Sequence, residues 1–411
     1  VPAAKTPNLK SFDFAVIGAG VFGAWTAYTL RQRGASVILL DAYGPASSRA
    51  SSGGESRIIR VGYGPSEIYT RFSQQALPLW KKLFARAGRP ELFQQTGVLW
   101  IAHENETYML QTLATLSKCG INFDKLSCDD LRRRYPQIAI DDGSFGIFEP
   151  ESGVLMARRA VQCVVDQARK IGVAYEESAV LPPAVTAAAN NQRLTTIETS
   201  DGASISAGAF VFACGPWLPQ VFPSLLGDRI FTSRQEIFFF GVPPGDARFS
   251  PPALPTWLVL HDEFYGMPCL EGRGFKIAHD RHGPLVNPDT QSRTPTAEAI
   301  DAARKYLALR FPALKDAPVV ESRVCQYENT SNGDFLIDRD PAFENVWIVG
   351  GGSGHGFKHG PSVGNYAASL MLSNSRADAG GVSPASVSTK FEIEPRFSLA
   401  SKETIQHRAV Y

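Results

Sequence analysis

Cys325 lies in the run Arg323-Val-Cys325-Gln-Tyr327-Glu-Asn-Thr330, which leads to Phe335-Leu-Ile-Asp338. A cysteine thiolate is a strong nucleophile, yet a single cysteine is most often an inert buried thiol. A glycine-rich turn near the start of the chain shifts that balance. Phe12-Asp-Phe-Ala-Val-Ile17 reads as a short buried strand that runs into Gly18-Ala-Gly20-Val21-Phe22-Gly23, and Ala24 to Arg33 carries helical periodicity. Gly18 permits a tight turn, Gly20 lets backbone amides approach a pyrophosphate, and Gly23 allows helix and strand to pack closely. The helix N-terminus adds partial positive charge. A second strand, Ser36-Val-Ile-Leu-Leu40, ends in Asp41. An acid there is placed to accept hydrogen bonds from ribose hydroxyls, which disfavours a 2′-phosphate. A glycine-rich structural corner is the plain alternative, but strand, turn, helix and acid together point to a dinucleotide. With Cys325 they point to a flavin held through sulfur.

The elements that must position these residues alternate along the chain. Val16 to Asp41 is a βαβ core, Ala157 to Lys170 a helix, and Thr195 to Thr199 and Phe210 to Ala213 strands. Val346 to Val349 reads as a last strand entering Gly350-Gly-Gly-Ser-Gly354. Two blocks, about 90 to 150 and 225 to 320, are rich in aromatics, prolines and alternating patterns that fit an antiparallel sheet with flanking helices. The expected class is α/β with an α+β second domain: a Rossmann-like FAD-binding domain built from 1–89, 151–224 and 321–411, and a discontinuous substrate domain from 90–150 and 225–320. No fixed-period repeat is present, and Asp378 to Lys390 reads as a polar linker before a C-terminal tail.

Composition narrows the function. With 411 residues, 44% of them hydrophobic and 20% charged, the chain can bury a large core, and a formal net charge of +1 offers no field for nucleic acid or anionic membrane. No apolar run reaches the length of a membrane span. Six cysteines are scattered without metal-type spacing, which disfavours zinc and iron–sulfur sites. The expectation is a soluble protein. A cytoplasmic location is favoured, although the loose start Val1-Pro-Ala-Ala-Lys-Thr-Pro-Asn would also fit an exported protein after leader removal.

Over nearly its whole length the chain resembles the flavin-dependent amine oxidases of the monomeric sarcosine oxidase and N-methyltryptophan oxidase type, within the D-amino acid oxidase superfamily. The matching pieces are the glycine loop, Ser56-Arg57-Ile-Ile-Arg60 with Tyr63-Gly, Thr96-Gly-Val-Leu and Ala213-Cys-Gly-Pro-Trp217. Tyr265-Gly-Met-Pro268 with Lys276, the Cys325 segment and Gly354-His355-Gly356-Phe-Lys358 complete them in family order. The resemblance implies FAD attached covalently through the Cys325 sulfur to the 8-methyl carbon. It implies that Arg60 and Lys358 grip a substrate carboxylate, for which the arginine fork is suited. Tyr265 and Tyr327 would line the pocket. Lys276 would promote dioxygen reduction, because a fixed cation lowers the energy of a developing anion. Arg57 would lie close to the flavin ring and Ser56 beside it, with Gly354, Gly356 and Lys358 in a flavin-facing loop. His355 reads as a loop histidine satisfied by backbone groups rather than a base.

The implied reaction is oxidation of a secondary or N-methyl amino acid to an imine, with hydrogen peroxide as the other product. A small amine and dioxygen would be its only partners and the monomer its working state. A flavin dehydrogenase that passes electrons to a carrier, and a non-catalytic flavin-binding assembly protein, stay open. Two departures bear on substrate: Gly53 and Asp280 stand where relatives carry histidines. A missing imidazole would leave more room, and an acid could bind a cationic or hydroxyl-bearing substituent, so the expected substrate is bulkier or more polar than sarcosine.

Overall fold

The structure is a computed structural model, described over residues 11–183, 192–378 and 392–407. The N-terminal eight residues and nearly all of the linker proposed between Asp378 and Lys390 lie outside these. Two compact units emerge: one from residues up to 53, Val161–Thr232 and Glu328 onward, the other from Gly54–Ala160 and Ser233–Tyr327. Among the described residues no helix is long and apolar enough to cross a membrane.

The first unit is built on a parallel sheet. Strand β1 (Ser11–Ile17) pairs in parallel with β2 (Val37–Asp41) on one side and with Ser204–Phe212 on the other, and Val346–Gly350 extends the sheet beyond that strand. These strands are near-continuous apolar runs because helices cover a parallel sheet on its faces. Helix α1 (Val21–Gln32) links β1 to β2 and packs on helix Gly360–Asp378. Helix α1 begins three residues earlier than its periodicity implies. Gly20 is its N-cap, and the first turn is fully buried, which hides the polar side of the pattern.

The second unit holds an eight-stranded sheet. Its order runs Val319–Thr330, Ile230–Phe240, Phe275–His279, Phe264–Met267, Thr256–Val259, Val98–His103, Ser144–Glu149, Asp124–Leu126. Both aromatic blocks supply strands, but the expected antiparallel sheet is mixed, since Thr256–Val259 runs parallel to Val98–His103. Alternation also sorts the side chains. Phe238, Phe240, Phe275 and Ile277 join the core that contains Tyr306 and Leu307 of helix Ala297–Arg310, whereas Ile237, Phe239, Ala278 and Cys325 form a smaller cluster that Tyr265 packs against.

The division differs from the sequence-based boundaries at four places. Residues 54–89 belong to the second unit: Arg57–Ile59 pairs with Gly153–Leu155, and helix Glu67–Ala87 packs on Thr107–Lys118. The buried stripe Tyr69, Ala76, Leu77, Trp80, Leu83 and Phe84 announces a packed helix without saying which sheet it covers. Residues 151–160 and 321–327 also lie in the second unit, and 225–232 in the first. Long strands cause the last two shifts, since Ile230–Phe240 and Val319–Thr330 each run past the point where one unit's residues give way to the other's.

Candidate active site

In the first unit the glycine turn has the geometry a dinucleotide needs. Gly18 has φ 106°, and a side chain there would collide with the Ala213 carbonyl, while one at Gly23 would collide with Gly18 itself. At Gly20 an added carbon would meet only Ser52 Oγ, 3.5 Å away, so backbone is left open to approach beside the α1 N-terminus. Ser52 also accepts the Val21 N–H at 3.1 Å, a contact that no local pattern announces. Asp41 Oδ2 accepts the Ala19 N–H at 2.6 Å and Oδ1 the Tyr43 N–H at 2.8 Å. Burial raises its carboxyl pKa above the usual range, partly offset by those amides. Asp41 therefore braces the turn, in addition to any role toward ribose.

The loop after Val346–Gly350 comes back onto α1. Gly356 backs onto Phe22 so closely that a side chain would press on its ring, and Phe22 meets Phe335 edge to face at 5.3 Å. His355 Nε2 is 3.0 Å from the Gly333 carbonyl and its ring stacks on Phe335, in line with a backbone-satisfied histidine. Lys358 is buried, and its Nζ donates to the His355 carbonyl at 3.0 Å.

In the second unit, Lys276, Asp280, Tyr265, Cys325 and Tyr327 share one sheet face, because each strand contributes alternate residues to it. Lys276 is 2% exposed, and its Nζ donates to the Ser56 carbonyl at 3.0 Å and to Ser56 Oγ at 3.2 Å. Burial first, and Arg57 next, push its ammonium well below the usual lysine range. Arg57 Nη2 lies 3.5 Å from the Cys325 sulfur, and Nη1 donates to the Ser56 carbonyl at 2.9 Å. Tyr327 Oη donates to Asp280 Oδ1 at 3.0 Å and is hydrogen-bonded to Tyr265. Burial, then the Asp280 charge, push the Tyr265 hydroxyl up to about 12 and raise Tyr327 as well. Both phenols are therefore neutral near pH 7.

Arg60 is buried in the same unit, its guanidinium 4.4 Å from the Tyr63 ring centre and 4.5 Å from that of Trp100. Its Nη1 donates to the Gly62 carbonyl. Glu149 organises this corner: it accepts the Val61 N–H at 2.8 Å, the Gly62 N–H at 2.9 Å, Trp100 Nε1 at 2.9 Å and Ser152 Oγ at 2.6 Å. Sequence reasoning passed over Glu149, because nothing local signals that an acid in Phe145-Gly-Ile-Phe-Glu149 faces a loop 88 residues earlier.

Residues 13–370 match the family described as DAO, FAD dependent oxidoreductase. The chain belongs to that family. It is 31% identical to human peroxisomal sarcosine oxidase over 89% of this chain and 93% of that one, and 28% identical to N-methyl-L-tryptophan oxidase of Salmonella agona over 88% and 95%. Its fold is similar to that of L-proline dehydrogenase from P. horikoshii, with a TM-score of 0.77 at 21% identity, covering 89% of this chain and 94% of that one.

For a FAD dependent oxidoreductase, the residues present fit the cofactor. The uncovered backbone at Gly20 and the anion-favouring helix end suit a pyrophosphate. The cationic side chains Arg57 and Lys276 beside Cys325 suit an electron-accepting ring that gains negative charge on reduction. One sequence expectation changes. A side chain at Gly53 would collide with the Ser47 carbonyl, so the space that an imidazole would enter is filled by backbone and no room is gained there.

Proposed function

We propose that this flavoenzyme oxidises a secondary or N-methyl amino acid that is more polar than sarcosine. Arg60, and with it Lys358, binds the substrate carboxylate; Tyr265 and Tyr327 line the pocket; Lys276 assists dioxygen reduction; and Cys325 tethers FAD through sulfur. When bound, FAD accepts two electrons from the amine and returns them to dioxygen, giving hydrogen peroxide.

The observation that carries this reading is the buried Lys276 and the half-buried Arg57 next to Cys325. Positive charge held in a dry site stabilises any anion that forms beside it far more than the same charge would in water. The same surroundings disfavour a further cation. An ammonium substrate brought near Lys276 and Arg57 meets the burial and repulsion that already press Lys276 toward its neutral form, so the amine enters without its proton. No enzyme base is then required, which suits two phenols that stay protonated and a histidine engaged with backbone.

Acid precipitation followed by anaerobic titration with N-substituted amino acids tests the proposal. Yellow colour that stays with the pellet, bleaching by carboxylate-bearing secondary amines and rapid recovery in air are expected. Recovery only with an artificial electron acceptor would make the protein a dehydrogenase, and a flavin that no amine bleaches would rule out this chemistry.

A further inference from the structure

Glu328 is buried beside the turn that follows Val346–Gly350, at the ends of the parallel strands where open α/β sheets bind ligands. Its carboxylate accepts the Gly351 N–H at 2.8 Å and the Gly352 N–H, and its backbone carbonyl accepts the Ser353 N–H at 2.8 Å. Three successive amides thus converge on one residue. Gly351, Ser353 and Gly354 have φ of 69°, 42° and 75°. Successive amides turned toward one point make a nest that ordinarily binds an anion, and here the Glu328 carboxyl fills it: burial raises its pKa to about 7, and the Gly351 and Gly352 amides oppose that rise by favouring the carboxylate. Among the described residues Glu328 pairs with no cation.

Ser353 is the costly member, because a side chain at positive φ needs support from its surroundings. Its hydroxyl donates to the Gly351 carbonyl at 3.0 Å and accepts the Thr330 N–H at 3.2 Å. At Gly350 an added carbon would collide with Glu328 Oε1. Beyond the turn, Gly356 rests on Phe22 in the first turn of α1. Glu328 therefore governs where the loop meets the dinucleotide turn.

We propose that Glu328 is a positioning residue for FAD, whose carboxylate holds the amides of Gly351 and Gly352, next to the Ser353 amide held by its backbone carbonyl, and so keeps the loop in the form that retains the cofactor. A glutamine at this place offers one neutral acceptor for two amides, and an aspartate falls short by one methylene. Neutral acceptors form roughly half as strong a bond as a carboxylate.

The test uses full-length holoenzyme carrying Cys325→Ala, with and without Glu328→Gln or Glu328→Asp, so that FAD can leave whether or not the native link is covalent. FAD release on dilution, followed by its fluorescence, is expected to be about tenfold faster or more in both variants. Thermal midpoints should stay near that of the parent, and amide exchange should accelerate across 351–353 in Glu328→Gln protein that keeps Cys325. A folded variant with parental FAD release overturns the proposal. Unchanged amide exchange does so where the Cys325→Ala protein holds no flavin. Loss of fold in both variants also overturns it, because Glu328 would then serve stability and not the cofactor.

Discussion

Lys276 meets Ser56 twice, through the carbonyl at 3.0 Å and the hydroxyl at 3.2 Å, and among the described residues no carboxylate is in ion-pair contact with it. Burial and Arg57 press Lys276 toward its neutral form, so an anion that forms nearby both favours its protonated state and is stabilised by it. Lys276→Met should leave amine-driven flavin reduction within about tenfold of wild type while slowing reoxidation by dioxygen about 100- to 1000-fold. Stopped-flow traces of the two half-reactions separate these. Equal slowing of both would mean that Lys276 acts on the flavin generally.

The Arg60 guanidinium lies over the rings of Tyr63 and Trp100, and Glu149 fixes both the Trp100 indole and the backbone after Arg60. A lysine cannot reproduce this stacked, planar fork. Arg60→Lys is expected to raise KM for a carboxylate-bearing amine by about 10- to 100-fold, equivalent to roughly 1.4 to 2.8 kcal/mol, with kcat much less affected. An amine lacking the carboxylate should show no such penalty. If it does, Arg60 shapes the pocket without binding the acid group.

Much of this architecture was legible because local chemistry forced it. The turn at Gly18 to Gly23 needs glycines whose absent side chains are now accounted for by the Ala213 and Gly18 carbonyls, and helix Ala157–Lys170 has the bounds its pattern implied. Lys276 and Cys325 stood out only within recognisable motifs, but strand alternation explains why both reach one face. Other features left no local trace. Glu149 and Ser52 act across 88 and 31 residues, distances over which spacing carries no signal. Glu328 was overlooked for a different reason: it sits beside Tyr327, and alternation sends the two neighbours to opposite sides of the strand.

Stability should depend on pH through Lys402. Its buried Nζ donates to Asn332 Oδ1 at 3.1 Å and to the carbonyls of Asp334 and Arg396 at 3.2 and 2.7 Å, fastening the C-terminal segment to the loop that carries Phe335. Burial lowers its pKa from 10.5 to about 8. Between those values the unfolded chain binds a proton that the folded chain does not, so this group makes folding more favourable as pH rises from 8 to 10.5. Below pH 8 the cost is fully present, on the order of 3 kcal/mol. Denaturant unfolding of wild type against Lys402→Met should give a stability difference that moves toward wild type across that window. A pH-independent difference would contradict the depressed value.

Asp280 bears most directly on the choice of substrate. An ionised carboxylate only accepts hydrogen bonds, so Tyr327 must donate its proton to Asp280, which turns the Tyr327 oxygen into an acceptor and orients the bond from Tyr265. The two phenols and the acid thus present acceptor character and negative charge on the face that carries Lys276 and Cys325. An amine whose substituent carries a hydroxyl or a cation gains from this, and an apolar substituent gains nothing. Wild type should therefore turn over hydroxyalkyl or aminoalkyl N-substituted amino acids with higher kcat/KM than sarcosine. Asp280→Asn should lower kcat/KM for those substrates about 10- to 100-fold, since a charged hydrogen bond of about 1.5 to 3 kcal/mol is replaced by a neutral one. For sarcosine the same change should have little effect. A substrate panel in which sarcosine is oxidised best, or in which Asp280→Asn slows all amines alike, would show that Asp280 supports Tyr327 and does not select the substrate.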